Sequence, residues 1–149
     1  MTRSKSALGI VASLIIAVLI LTAGSQGSVS FGGYPLFALC GSIGFALHWA
    51  LFIPSYAFQT EHYFDLTGSL SYITTVAAAI VFNPSLDLRD LIICAMITVW
   101  ALRLGSFLFW RIKKDGQDKR FIVMKTKFTW FLMTWTIGGL WVLVTMAAG

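Results

Sequence analysis

The sequence predicts an all-α integral membrane protein, with about five transmembrane helices in a compact bundle and a cytoplasmic amino terminus. Two observations predict the fold class. Of the 149 residues, 58% are hydrophobic and only 11% are charged, whereas soluble domains carry about 25% charged residues. The apolar residues also form five runs of the length that enters a bilayer, with short polar breaks between them. We therefore expect one membrane domain, residues 1–149.

The five runs are bounded by charges, turn residues and helix breakers. Arg3 and Lys5 precede the first run, and this basic start with its apolar run also fits a cleavable signal peptide. An uncharged, glycine-rich connector follows at residues 24–35. The third run begins after Asp65 and stops at Asn83, which precedes a proline. The predicted spans are 7–23, 36–58, 66–82, 91–110 and 128–147.

The distribution of basic residues predicts the orientation. The amino-terminal flank carries two of the eleven Lys and Arg residues, the 83–90 loop carries one, and the 111–127 loop carries seven. With five spans, the two most basic segments fall on one side of the membrane, which the positive-inside rule places in the cytoplasm. Cations beside a span suit anionic headgroups, and no nucleic-acid motif accompanies them. We therefore expect membrane lipids, and no nucleic acid, as partners.

Arg103 is the remaining basic residue and interrupts the fourth apolar run. A charged side chain in a span is costly, so it usually has a partner or a function. One interpretation is a structural ion pair with Asp65 or Glu61 of the neighbouring hairpin. The other is an anion clamp, because a guanidinium binds phosphate or carboxylate through two hydrogen bonds. Phe107 and Trp110 are expected on roughly the same helix face.

The basic loop after the fourth span has two interpretations as well. Its cations are typical of topology determinants that contact lipid headgroups. Acidic residues and a glycine are interleaved with these cations, which favours a shaped turn that holds the phosphates of a nucleotide. The candidate phosphate-binding residues are Arg111, Lys113, Lys114 and Arg120.

A polar turn between the second and third spans, QTEHYFD, gathers acid–base groups on the cytoplasmic side. Glu61, Tyr63 and Asp65 are the candidate catalytic residues, because a positioned carboxyl or phenol group can act as a general acid. The alternative is an ordinary polar turn in which Asp65 caps the third helix.

A polar seam inside the bundle is predicted by His48, Tyr56 and Gln59, which are spaced to lie near one face of the second span. We take them as candidate substrate-pocket residues, although a single histidine in a span is more often a packing residue. Cys40 and Cys94 lie in apolar runs without metal-ligand spacing, so we expect neither a disulfide nor a metal site. The residues alone predict a polar pocket beside cations and no particular reaction.

Two stretches resemble a known family. They are FIPSYAFQTEHYFDLTGSLSYI (52–73) and WALRLGSFLFWRIKKDGQDKRF (100–121), and together they resemble a bacterial membrane family of unassigned function within the steroid 5-alpha-reductase superfamily. The resemblance implies NADPH-dependent reduction of a carbon–carbon double bond conjugated to a carbonyl in a steroid or other lipid. It implies that Asp65 is the carboxylate beside the substrate and that Arg103 helps to hold the cofactor phosphates. It also implies the inner membrane of a bacterium as the location.

The resemblance covers only the amino-terminal half of that fold. The diagnostic cofactor motif of the superfamily, of the type GLWxxSRHPNYFGE, belongs to a second half that would follow WVLVTMAAG. We expect a truncation, one half of a split enzyme or a fragment of a longer frame, and not a competent reductase alone. The leading hypothesis is the amino-terminal half of a steroid 5-alpha-reductase-like oxidoreductase. The alternative is a non-catalytic membrane subunit or lipid-binding bundle. A partner chain or a homo-oligomer is expected to cover an open apolar flank.

Overall fold

Five helices form the architecture, as the sequence predicts. The computed structural model describes residues 2–116, without the side chain of Asp115, and residues 121–147. All five helices are long and apolar enough to cross a membrane. They are α1 (Arg3–Gly24), α2 (Leu36–Ala57), α3 (Phe64–Phe82), α4 (Leu88–Asp115) and α5 (Phe128–Met146).

The fourth helix is longer than predicted at both ends. Asp87 and Asp90 form a capping box at its start, where each side chain accepts a hydrogen bond from the other residue's backbone N–H. Its last turn carries Lys113 and Lys114, whose charges suit the negative end of the helix dipole. The helix ends at Gly116, which has a positive φ of 79°. The predicted basic loop is therefore partly helix.

The predicted connector between the first two helices contains a short hairpin that the sequence analysis missed. Strands β1 (Ser30–Phe31) and β2 (Tyr34–Pro35) pair antiparallel. The two intervening glycines have φ values of 58° and 84°, as a two-residue turn with two left-handed positions requires. The Phe31 ring contacts the Phe82 ring of α3 at 4.4 Å between centroids, so the hairpin is anchored on the bundle.

Helices α2, α3 and α5 contact one another, and α1 and α4 pack against them. Helix α1 packs on α5 and α2, and α2 also packs along α5 and α3. Helix α4 packs chiefly on α3, where Gly105 allows the close approach of Ser69. This arrangement leaves a cleft between α4 and α5 that reaches α3.

The two ends of the bundle differ in charge. One end, called the basic end below, holds the start of α1, the α2–α3 turn, the end of α4 and the start of α5. Two features join these elements. One is a groove lined by Arg3, Tyr56 and Lys127, and the other is a hydrogen bond between His62 and Gly116. The opposite end, called the hairpin end, holds the β-hairpin and the capping box of α4.

Candidate functional site: an apolar cleft with an ion pair at its basic end

The opening between α4 and α5 is a cleft of about 580 Å³. Faces of α3, α4 and α5 line it, His48 of α2 also contributes, and most of the lining is apolar or aromatic. Along α3 the lining runs from Asp65, in the first turn at the basic end, to Tyr72, about 10 Å further along the helix. Its volume and mainly apolar lining are within the range of small-molecule sites in proteins.

His48 is held rigidly where α2 meets the cleft. Its side chain is buried, and its Nδ1 donates a hydrogen bond to the carbonyl oxygen of Gly44 at 2.7 Å. That bond leaves Nε2 as a hydrogen-bond acceptor. A Cβ atom at Gly138 would lie 2.7 Å from this Nε2, so the absence of a side chain there makes room for the ring. The rings of Phe64 and Trp135 contact His48 edge-on.

Asp65 is the charged group of the cleft. It lies in the first turn of α3, where a carboxylate suits the positive end of the helix dipole. The N-cap residue is Tyr63, whose side chain makes no capping hydrogen bond, so Asp65 does not occupy the N-cap position that one interpretation expected. Its Oδ2 lies 3.5 Å from Nη2 of Arg111, in a pair whose side chains are 14% and 42% exposed. The cleft therefore ends at an ion pair that is partly open to water.

Glu61 forms a second ion pair, which the sequence analysis did not identify. Its side chain is fully buried, and its Oε2 accepts a hydrogen bond from Nζ of Lys125 at 2.8 Å. Glu61 is not among the residues that line the cleft. The two residues are 64 positions apart, and only the excess of cations in the loop after the fourth span could have suggested a basic partner.

His62 supplies a further tie at the basic end. Its Nδ1 accepts a hydrogen bond from the Thr60 hydroxyl at 2.7 Å, and its Nε2 donates to the carbonyl oxygen of Gly116 at 2.8 Å. The α2–α3 turn is thus joined to the end of α4 by His62 and Asp65, and to the segment before α5 by Glu61. The QTEHYFD turn and the basic loop therefore meet at one end of the bundle.

Three other candidate residues lie away from the cleft. Tyr63 is 52% exposed. Tyr56 packs in an aromatic cluster with Phe52 and Phe128 instead of sharing a pocket with His48. Eight residues of helix place it about 80° around the axis from His48, too far to share the cleft. Gln59 lies beyond the end of α2, is exposed, and bonds the Tyr56 carbonyl.

Arg103 does not form the expected pair with Asp65 or Glu61, which pair with Arg111 and Lys125 instead. Ala101 and Gly105, the small residues on either side of Arg103, face α3 and are buried. Arg103 is two positions from each of them, which is a rotation of about 200° around the helix axis. Its side chain therefore points away from α3. Arg103 is accordingly exposed on the face of α4 opposite α3.

The remaining basic candidates lie at the end of α4. Arg111, Lys113 and Lys114 occupy its last two turns and are exposed, and Arg120 lies outside the described residues. Exposed cations at this position suit phosphate oxygens, although the C-terminal end of a helix dipole opposes an anion. Whether these cations bind a nucleotide stays a prediction.

The thiols of Cys40 and Cys94 are free and half-buried. Both line a smaller cavity, of about 270 Å³, near the hairpin end. Within residues 2–116 and 121–147, no three His, Cys, Asp or Glu side chains are grouped as metal ligands.

Comparison with known proteins places the chain in a family. A family model described as "Protein of unknown function (DUF1295)" matches residues 51–148, about two thirds of the chain. The matched region includes α3, α4 and α5, whose faces form the cleft, together with both ion pairs. Comparisons with the curated proteins and with the solved structures find no match. The chain therefore belongs to the DUF1295 family.

Proposed function

We propose that the cleft binds a lipid with a conjugated carbonyl, and that this chain is the substrate-binding half of an NADPH-dependent lipid enone reductase. The observation that carries the proposal is the ion pair of Asp65 and Arg111 at one end of a largely apolar cleft. A hydrocarbon skeleton fills the apolar part, and the carbonyl oxygen reaches the pair of Asp65 and Arg111. The cleft opens sideways between two helices, so a membrane-dissolved lipid enters without crossing water.

The chemistry assigned to the pair follows from its charges. The contact with the Asp65 carboxylate positions Arg111, and the N–H groups of Arg111 are the donors offered to the carbonyl. In such a reduction, NADPH would supply hydride to the β-carbon and leave as NADP⁺, negative charge would develop on the carbonyl oxygen, and a water molecule would supply the proton that the α-carbon takes up. Charge-assisted donors stabilise that oxygen, and losing one such donor typically lowers turnover about 10²- to 10³-fold.

NADPH is the hydride source in this proposal. Arg111, Lys113 and Lys114 are the described residues that would hold its phosphates, at the mouth of the cleft. We propose that the groups holding the nicotinamide and adenine belong to the complementing half. The proposed location is the bacterial inner membrane, with the basic end in the cytoplasm, where NADPH is available.

The test measures binding of a 3-keto-4-ene steroid to the purified chain in nanodiscs, by quenching of tryptophan fluorescence. The same steroid skeleton without oxygen is the matched ligand. We expect the enone to bind more tightly than the hydrocarbon, and Asp65→Asn to remove that preference. Asp87→Asn is the control. Asparagine also caps helices, and Asp87 lies at the hairpin end, opposite the ion pair. Equal binding of both ligands would refute the assignment of the ion pair.

The apolar part of the cleft is tested separately. Leu104 lines the cleft, whereas Leu102 is 54% exposed on another face of α4. We expect Leu104→Phe to weaken binding of both ligands and Leu102→Phe to leave both unchanged. Unsaturable quenching in the unmodified chain would show that the cleft is not a lipid site.

A second candidate function, a non-catalytic lipid-binding bundle, is favoured by the groove at the basic end. Arg3, Tyr56, Lys127 and Trp130 line it, and the Lys127 ammonium lies 5.8 Å from the centre of the Trp130 ring. Such a groove suits an anionic headgroup. Retention of an anionic phospholipid that is lost in Lys127→Gln, with no preference for the enone over the hydrocarbon, would favour this function.

A further inference from the structure

The outward face of α4 carries a continuous stripe of exposed side chains, called the outer stripe below. Its apolar members are between 52% and 72% exposed. They are spaced by three or four positions, as one face of a helix requires. The stripe consists of Ile92, Met96, Val99, Arg103, Phe107, Trp110 and Lys114.

Lipid explains every member of the outer stripe except Arg103. Apolar side chains are stable against acyl chains, and Lys114 lies in the last turn of α4, at headgroup level. Arg103 precedes Lys113 by ten residues, or about 15 Å along the helix axis, and follows Asp90 by thirteen, or about 20 Å. It therefore lies within the hydrocarbon region, where a charge exposed to lipid is strongly unfavourable.

Snorkelling does not remove this cost. Helical side chains tilt toward the amino terminus of the helix, and here that direction leads away from the nearer headgroups at the basic end. Among the described residues, the side chain of Arg103 forms no ion pair or hydrogen bond. A guanidinium at this depth requires a carboxylate from outside the described bundle.

A second copy of this chain cannot supply that carboxylate. Apart from Asp118, which is outside the described residues, the acidic residues lie at helix ends or in the segments between helices, and none of these lies within the middle of a span. Two copies side by side in one orientation would also bring Arg103 against Arg103. The occupant must therefore be a different helix.

We propose that the outer stripe is the docking surface for a transmembrane helix that carries a carboxylate at the depth of Arg103 and that does not belong to a second copy of this chain. Arg103 binds the carboxylate through two N–H groups, and Phe107 and Trp110 pack against the helix on the side of the basic end. The inference goes beyond the proposed reaction and does not depend on it.

The test uses a leucine-rich peptide of about 20 residues, long enough to span the bilayer, with one glutamate at its centre. Matched peptides carry glutamine or leucine there. Energy transfer between a donor dye on the amino terminus of the chain and an acceptor on the peptide reports association in lipid vesicles. We expect the glutamate peptide to bind about tenfold more tightly than the leucine peptide, in the range measured for polar contacts between membrane helices.

Arg103→Leu should remove the preference for glutamate, whereas Arg89→Leu, which removes an exposed arginine at the hairpin end, should retain it. Arg103→Glu should reverse the preference toward a lysine-centred peptide, which tests the charge even if the leucine variant aggregates. Equal binding of all three peptides by the unmodified chain would overturn the proposal. Self-association of the labelled chain that disappears in Arg103→Leu would also overturn it, in favour of a second copy.

Discussion

Removing Lys125 is the most direct perturbation of the basic end. Its Nζ lies 2.8 Å from Oε2 of Glu61, whose side chain has no exposed surface, whereas that of Lys125 is 19% exposed. Breaking a buried pair by removing one partner costs about 3–5 kcal/mol, because an uncompensated charge stays buried. Since Lys125 retains some water contact, we expect Lys125→Met to lower the free energy of unfolding by about 2–3 kcal/mol. Unfolding in mixed detergent micelles, followed by tryptophan fluorescence, measures this loss.

A double-mutant cycle separates the pair from the other contacts of each side chain. Glu61→Gln combined with Lys125→Met should be less damaging than the sum of the single variants, with a coupling of about 1–3 kcal/mol. Lys127→Met is the matched control, because that lysine is exposed and its ring contact contributes only about 0.5–1 kcal/mol. A coupling near zero, or equal losses for the two lysine variants, would refute the view that Glu61 anchors the turn to the α5 side of the bundle.

Two further predictions concern packing and orientation. Gly138→Ala should destabilise the bundle by about 1–3 kcal/mol, because the added Cβ atom meets His48. Gly68→Ala is the control, since a Cβ atom there meets nothing within 4 Å, and it should be neutral or stabilising in the same unfolding assay. The orientation is tested in a chain whose native cysteines are replaced by alanine. If the basic end is cytoplasmic, an impermeant maleimide applied to intact bacterial cells should label Tyr34→Cys and not Lys127→Cys. The reverse pattern would show that the basic end faces outward.

The sequence predicted the helices well because burial in a bilayer depends on the length and polarity of a run, and both can be read locally. It placed the start of α2 at residue 36, as observed. It failed where an outcome depends on conformation or on distant partners. The hairpin turn requires left-handed backbone at Gly32 and Gly33, and the pairing of Glu61 with Lys125 requires the fold itself.

In the candidate site, too, local sequence signals predicted some residues correctly, and positions that depend on geometry were missed. The sequence indicates both Asp65 and His48 as site residues, and both line the cleft. The prediction that Tyr56 lies on the same helix face as His48 is wrong, because Tyr56 does not line the cleft. A rotation of about 80° is enough to move a side chain from one side of a helix into a different groove. Arg103 could have been placed correctly, because the buried small residues Ala101 and Gly105 mark the face of α4 that packs on α3.

The two faces of α4 connect the proposed substrate site with the proposed docking surface. Leu104 and Leu108 form one wall of the cleft, and the outer stripe lies about 100–140° around the same helix, on the face opposite α3. Because α4 packs chiefly on α3, the width of the cleft depends on how firmly α4 is held against that single neighbour. A helix docked at Arg103 would hold α4 from the other side, so its binding and enone binding should strengthen each other by the same factor, as thermodynamic linkage requires. Measuring enone affinity with and without the glutamate peptide tests this coupling. Equal enone affinity in both conditions would mean that the two faces of α4 act independently.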